Sequence, residues 1–330
     1  MINLLLSCDQ SYFRYLYSTV LSAMVSANKE TRYTFYVIDN GISEGSKSKL
    51  KKLASDNGND VYFLDFRNEI ENLNLKSSFP LSAFGRLFVG RIPGIRRIIY
   101  LDCDMIVMDD LTELWNKELH EHVIGAVQDS VNRFFIDSIG ISRNTRYINS
   151  GMLLIDVLRW NEYAIEERAI QYIERMNGIV PHNDQGVINA VCEGRIEILD
   201  CRYNLQNPMI CFSAKQIQKL AQIDNYYSEA QLEAGRKNPC IIHFTEEFYN
   251  RPWCENCTHP YKEQFDKIWS RTEWCGVYDK KKLSRNASIM QWVNQYLPFS
   301  CYCLMMRLIT VKKKIQMKLH CSVLVRGDNE

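Results

Sequence analysis

The run Arg96-Arg97-Ile98-Ile99-Tyr100-Leu101-Asp102-Cys103-Asp104 restricts this chain more than any other feature. Five consecutive residues, Ile98 to Asp102, read as a buried strand that ends in acid. Side chains alternate along a strand, so Asp102 and Asp104 point the same way and can reach one point in space. Two hard oxygen ligands at a strand end suit Mg²⁺ or Mn²⁺, ions that commonly also bind phosphate oxygens. The strand end is also where open α/β sheets place their ligands. By itself, Asp-x-Asp reads more readily as a solvated turn, because 39 acidic residues let it arise by chance.

Strand and helix signals alternate around this run. Apolar runs at 2–6, 34–38, 61–66, 123–127, 152–155, 196–199 and 241–244 read as strands. Helical periodicity marks 12–27, 46–55, 80–92, 156–177, 184–192 and 260–274, with a short segment at 109–119 anchored by Leu111, Leu114 and Trp115. This alternation argues for an α/β, doubly wound sheet with parallel strands. With 46% apolar and 12% aromatic residues in 330, a substantial core is available and disorder is excluded as a class. The expected organisation is one domain over 1–276 and a basic extension over 277–330.

Three other segments carry site chemistry. Asn149-Ser150-Gly151 precedes an apolar run; Asn offers a donor and an acceptor, and Gly permits close backbone approach, although an ordinary turn would use the same residues. His182-Asn183-Asp184-Gln185 opens a helix. Asn183 or Asp184 can cap it, or an acid and an amide side by side can hold sugar hydroxyls. His243 follows the apolar Ile241-Ile242 and precedes Phe244 and, further on, Arg251-Pro252-Trp253. A lone histidine there is usually a core or surface residue, but two carboxylates and one imidazole also form a set that accommodates Mn²⁺.

Taken together, Asp9 with Tyr12, Gly85-Arg86-Leu87, Tyr100-Leu101-Asp102-Cys103-Asp104, Asp129, Tyr147 to Gly151, Asn183-Asp184-Gln185, and His243 with Arg251-Pro252-Trp253 resemble the bacterial members of glycosyltransferase family 8. These are retaining GT-A enzymes typified by lipopolysaccharide galactosyltransferases. The resemblance covers about residues 1–276 and implies a single Rossmann-like GT-A domain with a mixed central sheet. It implies that Asp102, Asp104 and His243 hold Mn²⁺ (or Mg²⁺) against the diphosphate of a UDP-sugar. Ser7, Asp9 and Tyr12 would lie on the nucleotide side, Asp9 accepting from the uracil imide, and Asp102 would also touch the ribose. Arg86, Asp129, Asn149, Asp184 and Gln185 would contact the donor sugar, with Gln185 in a positioning role. Arg251 stands where the family has a lysine that touches the diphosphate. The expected reaction is transfer of galactose or glucose from a UDP-hexose to a hydroxyl of a surface glycan or lipid-linked acceptor, by front-face attack. The chain departs from the pattern at Ser11, in place of an Asn, and in the longer, glycine-free loop 245–250.

Two rival classes are separable. A sugar nucleotidyltransferase needs a Gly-rich, Arg/Lys-bearing loop after the first strand, and Ser7 to Ser11 has neither. A silent UDP-sugar-binding module would have no reason to keep Asp102, Asp104, His243, Asn149 and Gln185 together.

The net charge of +1 conceals an asymmetry: residues 280–326 hold ten Lys/Arg and no Asp or Glu, so the rest is net acidic. In this tail Leu304, Leu308, Val311, Ile315 and Leu319 fall on one helical face, with Lys312, Lys314 and Lys318 elsewhere. The expectation is an amphipathic helix at an anionic membrane surface, not a nucleic-acid contact. The alternative is a helix packed on the body. Six of the twelve cysteines (Cys8, Cys103, Cys192, Cys201, Cys211, Cys240) sit in or beside apolar runs, as small buried thiols of a reducing compartment do. Cys254-x-x-Cys257, with His259 and Cys275 nearby, is read the same way rather than as a zinc site. No signal peptide and no apolar stretch long enough to cross a bilayer is read, which places the chain in the cytoplasm, peripheral on the inner face of the membrane.

Overall fold

The computed structural model describes residues 1–76, 79–246, 248–280 and 285–312, with side chains from 288 onward in the last segment. Its strands are β1 (Ile2–Cys8), β2 (Tyr33–Asp39), β3 (Asp60–Leu64), β4 (Arg97–Leu101), β5 (Met105–Val107), β6 (Ile124–Gln128), β7 (Ile148–Asp156), β8 (Ile196–Ile198) and β9 (Ile241–His243). Seven form one sheet in the order β3-β2-β1-β4-β7-β6-β8. From β3 to β4 the strands are parallel, as the alternation predicts. β7 runs antiparallel to both β4 and β6, so the whole sheet is mixed, in agreement with the GT-A expectation.

The chain leaves β1 to build β2 and β3 on one side, then returns to place β4 on the other. The switch point therefore lies between the carboxyl ends of β1 and β4, and a crevice forms there. Ser7 and Asp9 stand at one end and Asp102 and Asp104 at the other. Both faces of the sheet are covered. Leu4, Leu6, Ile99 and Leu101 belong to one apolar core, while Leu5, Ile98 and Tyr100 belong to the core on the opposite face. Burial on both sides is why β1 and β4 read as continuous apolar runs.

Several local expectations change. β7 begins at Ile148 rather than 152, so Asn149-Ser150-Gly151 lies inside a central strand and not in a turn before it. The long helix expected over 156–177 is two helices, Val157–Glu162 and Ile165–Arg175, broken where Ala164 adopts a left-handed conformation (φ 48°). Residues Leu81–Arg91 form successive 3-10 turns rather than an α-helix; Gly85 and Gly90 weaken the α form there. The helix Asn183–Val191 starts without a side-chain cap: His182 before it (φ 59°) and its own first residue Asn183 (φ 52°) are both left-handed. Asp184 is thereby released from capping and turned inward.

A two-stranded antiparallel ribbon, β5 with β9, pairs Met105 with His243. It brings His243 beside Asp104, and the Phe244 N–H donates to the Asp104 carbonyl (2.9 Å). Beyond residue 276 the chain stays tied to the body: Asp279 pairs with Arg14 and accepts from the Tyr15 hydroxyl (2.6 Å). Helix Arg285–Tyr296 is followed by a helix over 299–312. Phe299 and Tyr302 pack on Phe212 (ring centroids 5.8 and 5.5 Å), and Tyr302 also meets Phe248 (5.7 Å). The expected tail positions Lys314, Ile315, Lys318 and Leu319 lie outside the described residues. Among the described residues no helix is long and apolar enough to cross a membrane.

Candidate metal and donor site

A cavity of about 510 Å³ opens at the switch point. Ser7, Asp9, Tyr12, Arg86, Asp102, Asp104, Asn149, Asp184, Gln185, His243 and Arg251 all reach its wall. Of the residues expected at the site, Asp129 alone is not on this wall. It lies behind, accepting from Asn149 Nδ2 and Gln185 Nε2 (both 3.0 Å), and opens on a smaller neighbouring cavity.

The acidic pair turns out to be a triad. Asp102, Asp104 and His243 each offer one ligand atom, and these atoms lie within 4.8 Å of one another. His243 Nε2 is 3.2 Å from Asp104 Oδ1 and 4.0 Å from Asp102 Oδ2. The ring is oriented from behind. Asn204 Nδ2 donates to Asn149 Oδ1 (2.9 Å), which leaves Asn204 Oδ1 to accept from His243 Nδ1 (3.1 Å). Nε2 is the nitrogen left facing the carboxylates. Gly151 keeps the floor open: a Cβ there would come within 2.5 Å of His243 Cε1 and 2.8 Å of Asp102 Oδ2. Two hard carboxylates, one correctly presented imidazole and a floor that tolerates no side chain fit a divalent cation.

Arg86 is the electrostatic anchor. It is 3% exposed, yet its guanidinium meets Asp102 Oδ1 (2.8 Å), Asp184 Oδ2 (3.3 Å) and the Ser150 carbonyl (2.6 Å), and stacks over the Tyr100 ring (3.9 Å). Tyr100 adds a second donor to Asp102 Oδ1 (2.8 Å). Burial pushes the Asp184 carboxyl up, and Arg86 only partly offsets this. Asp104 shows the opposite balance. Burial works against its charge, but Arg251 and His243 more than compensate and hold it below the usual carboxylate range. Burial pulls His243 down, yet Asp104 leaves it raised overall. Burial pushes the Tyr12 phenol up to about 12, so it remains a neutral donor at the cavity mouth.

On the wall expected to face the donor sugar, Gln185 is held at both ends. Its Oε1 accepts from the Ser150 N–H (3.1 Å) and its Nε2 donates to Asp129. Ser150 Oγ donates to Asp184 Oδ2 (3.1 Å). On the wall expected to face the nucleotide, Ser7 Oγ donates to the Ser82 carbonyl (2.6 Å). Asp9 Oδ1 accepts from Tyr12 N–H (3.0 Å) and from Ser11 Oγ (2.6 Å), the residue that departs from the family pattern. Arg251 pairs with Asp104 and stacks over Trp253 (5.3 Å). Asn204 and Asn189 carry no motif that marks them in the sequence. Asn189 bonds both the N–H and the carbonyl of Ile148 (2.8 and 2.9 Å), locking the Asn183–Val191 helix to β7. Because Asn204 sets the histidine tautomer, Asn204→Ala should weaken Mn²⁺ binding by about 10- to 100-fold in calorimetry. Unchanged affinity would remove Asn204 from this role.

The sequence pattern of glycosyl transferase family 8 matches residues 3–257. The chain belongs to this family. General stress protein A of Bacillus subtilis is 28% identical over 278 residues, covering 82% of this chain and 94% of its own. The lipopolysaccharide 1,2-glucosyltransferase of Escherichia coli K12 is 21% identical over 263 residues, covering 77% and 73%. Among solved structures, the galactosyltransferase LgtC in complex with donor and acceptor sugar analogs superposes with a TM-score of 0.70 at 24% identity, covering 83% of this chain and 99% of that one. The fold is thus GT-A, and the chain is a family 8 glycosyltransferase whose acidic triad fits a divalent cation.

The divergent loop 245–250 and the Cys254-x-x-Cys257 segment gain a physical account in this family 8 enzyme. Loop 245–250 divides its residues: Thr245 and Glu246 line the donor cavity, whereas Phe248, at φ 66°, turns away onto Phe212 and Tyr302. His259 is bonded at both nitrogens, to Asn207 Oδ1 (2.8 Å) and from the Tyr261 N–H (3.1 Å), and burial lowers it to about 3. Cys257 Sγ donates to the Asn250 carbonyl (2.9 Å). The Cys254-x-x-Cys257 segment is a hydrogen-bonded corner.

Proposed function

We propose that this enzyme is a retaining hexosyltransferase that moves galactose or glucose from a UDP-sugar to a hydroxyl of a surface glycan or lipid-linked acceptor. The observation that carries this reading is the convergence of Asp102, Asp104 and His243 within 4.8 Å, with Arg251 beside them, in a cavity large enough for a nucleotide sugar. The galactosyl- and glucosyltransferase names among its relatives support a hexose donor.

Asp102, Asp104 and His243 would hold a divalent cation, Mn²⁺ in this reading, which would supply positive charge to the diphosphate leaving group. Arg251 lends a second positive charge to the same leaving group. Ser7, Asp9 and Tyr12 hold the nucleotide end; Asn149, Asp184, Gln185 and Arg86 shape the sugar end, and Asp129 fixes Asn149 and Gln185 from behind. The C1–oxygen bond breaks with its electrons going to the phosphate, and the acceptor oxygen bonds to C1 on the same face. Its proton passes to the departing phosphate oxygen. Pairing of the carboxylates supports this course over double displacement: Asp184 is engaged by Arg86 and Ser150, and Asp129 by Asn149 and Gln185. Gln185, an amide clamped at both ends, positions rather than attacks.

The test is UDP release from a panel of UDP-sugars with Mn²⁺, with and without EDTA, together with the anomeric configuration of the product. EDTA-sensitive release from UDP-galactose or UDP-glucose with retention is expected. Failure to bind UDP in the presence of Mn²⁺ sinks the proposal, whereas binding without turnover on any donor favours the silent binding module.

We also propose that residues 1–276 form the transferase body and 277–330 an extension that meets an anionic membrane surface on the cytoplasmic side. Leu304, Leu308 and Val311 are 60, 64 and 53% exposed on one face of the 299–312 helix, and Trp292 and Tyr296 are exposed on the helix before it. Arg307 and Lys312 add exposed positive charge. Leu304→Glu with Leu308→Glu should cut pelleting with anionic liposomes by about tenfold or more while leaving UDP release intact. Equal pelleting would refute the membrane role.

A further inference from the structure

The 299–312 helix is apolar on two faces. Opposite the exposed Leu304, Leu308 and Val311, its Tyr302, Met306 and Ile309 line a second cavity of about 230 Å³ between the tail and the body. The body side is closed by Val131, Phe135, Phe212, Ile217, Leu220 and Phe248. The space is a cleft open to solvent on one side, and most of its wall is apolar, although Ser130, Asn132, His182 and Thr310 also reach it.

Its position matters more than its size. His182 lines both this cavity and the donor cavity. Ser130, also on the apolar wall, follows Asp129, whose carboxylate holds Gln185 and Asn149. Loop 245–250 joins the two from the other side, with Thr245 and Glu246 on the donor cavity and Phe248 on the apolar one. Phe248 is a bulky residue held in the left-handed region, a conformation kept only where packing over-determines it.

We infer that this cavity receives the hydrocarbon segment of a lipid-linked acceptor, next to the sugar whose hydroxyl is placed beside Gln185. The inference rests on the transferase reading above and narrows its acceptor to one carrying an apolar aglycone. Three of the four polar side chains on the wall are engaged within the protein: Asn132 accepts from the Phe134 N–H and donates to the Leu220 carbonyl, Thr310 Oγ1 donates to the Met306 carbonyl, and His182 Nδ1 bonds the Tyr147 hydroxyl. The wall therefore offers an incoming ligand mainly hydrocarbon. At about 230 Å³ the cavity is smaller than the roughly 300 Å³ at which pockets enclose a whole small ligand, so it takes only the part of the aglycone nearest the sugar. The same helix presents its outer apolar face and Arg307 and Lys312 to the surroundings, which places it between a lipid surface and the cavity.

The experiment compares octyl β-glucoside, below its micelle concentration, with methyl β-glucoside and with UDP plus Mn²⁺, by titration calorimetry on the whole chain. The octyl glycoside should bind at least about tenfold more tightly than the methyl glycoside, the equivalent of two buried methylenes. Ile309→Trp, which fills the cavity from the tail, should abolish that difference and leave UDP binding unchanged. Val131→Trp fills it from the body side and should do the same, so the outcome does not hang on one variant's folding. Leu308→Lys, on the outer face, should leave octyl binding as it is. Equal octyl and methyl affinities in the wild type overturn the inference. So does an octyl advantage that survives both fillers or is lost equally in Leu308→Lys. If UDP fails to bind the wild type, the transferase reading falls on that result alone, while the octyl comparison still decides the cavity.

Discussion

Asp104→Asn lowers Mn²⁺-dependent UDP release by about two to three orders of magnitude and also lowers the melting temperature, because Arg251 and the buried His243 lose their counter-charge. The substitution keeps the shape of the side chain and removes its charge, and it takes a hard anionic ligand out of a three-donor set. It also leaves Arg251 and His243 facing each other without the anion that lies between them. The cation that Asp104 would hold is the contact to the developing leaving-group charge, and losing one such preorganised contact costs on the order of 10²–10³ in rate. Initial rates of UDP formation across an Mn²⁺ titration check this. A rate close to wild type at saturating metal would remove Asp104 from the ligand set, whatever the geometry.

Arg86→Met has the largest expected effect on stability. The substitution is near-isosteric but leaves the buried Asp184 without its counter-charge and Asp102 with Tyr100 but without its charged partner. Breaking a buried pair by removing one member costs about 3–5 kcal/mol, because the remaining charge stays out of water. For a domain of this size, a fall in melting temperature on the order of 10 °C follows. Arg86→Lys should recover only part of the loss. A point charge cannot reach Asp102, Asp184 and the Ser150 carbonyl at once, as the planar fork does. Scanning calorimetry of the three proteins checks both statements. An Arg86→Met protein that melts with the wild type would mean that water, and not Arg86, solvates the two carboxylates.

The parts of the fold that were legible were those whose local pattern and tertiary role agree. β1 and β4 are buried on both faces, so their apolar runs announce both the strands and the crevice at their ends. The pairing of β5 with β9 was not legible from pattern: each strand is only three residues long, and nothing local says that Met105 meets His243. Ligand chemistry offered His243 as a third donor, and the family resemblance assigned it to the acidic pair. Asn149-Ser150-Gly151 resembled a turn because polar residues seldom occupy a central strand. Here Arg86, Gln185, Asp184 and Asn204 satisfy them from neighbouring elements, an arrangement visible only in three dimensions. Asn204 itself sits in an unremarked stretch between Tyr203 and Leu205. The break at Ala164 carries no Gly or Pro signal. By contrast, the helices Ala214–Ala221 and Glu229–Lys237 each open on a reciprocal capping box, Ser213 with Gln216 and Ser228 with Gln231, a start signal that was present in the sequence and went unread.

The central claim is that Asp102, Asp104 and His243 form one cation site that serves the diphosphate of a UDP-sugar. Calorimetric titration of UDP into the wild type, in EDTA and then in excess Mn²⁺, tests it most directly, with His243→Ala as the paired control. The account predicts that Mn²⁺ strengthens UDP binding by about tenfold or more in the wild type, and that this gain is absent in His243→Ala. Equal UDP affinity with and without Mn²⁺, or an undiminished gain in His243→Ala, would contradict it.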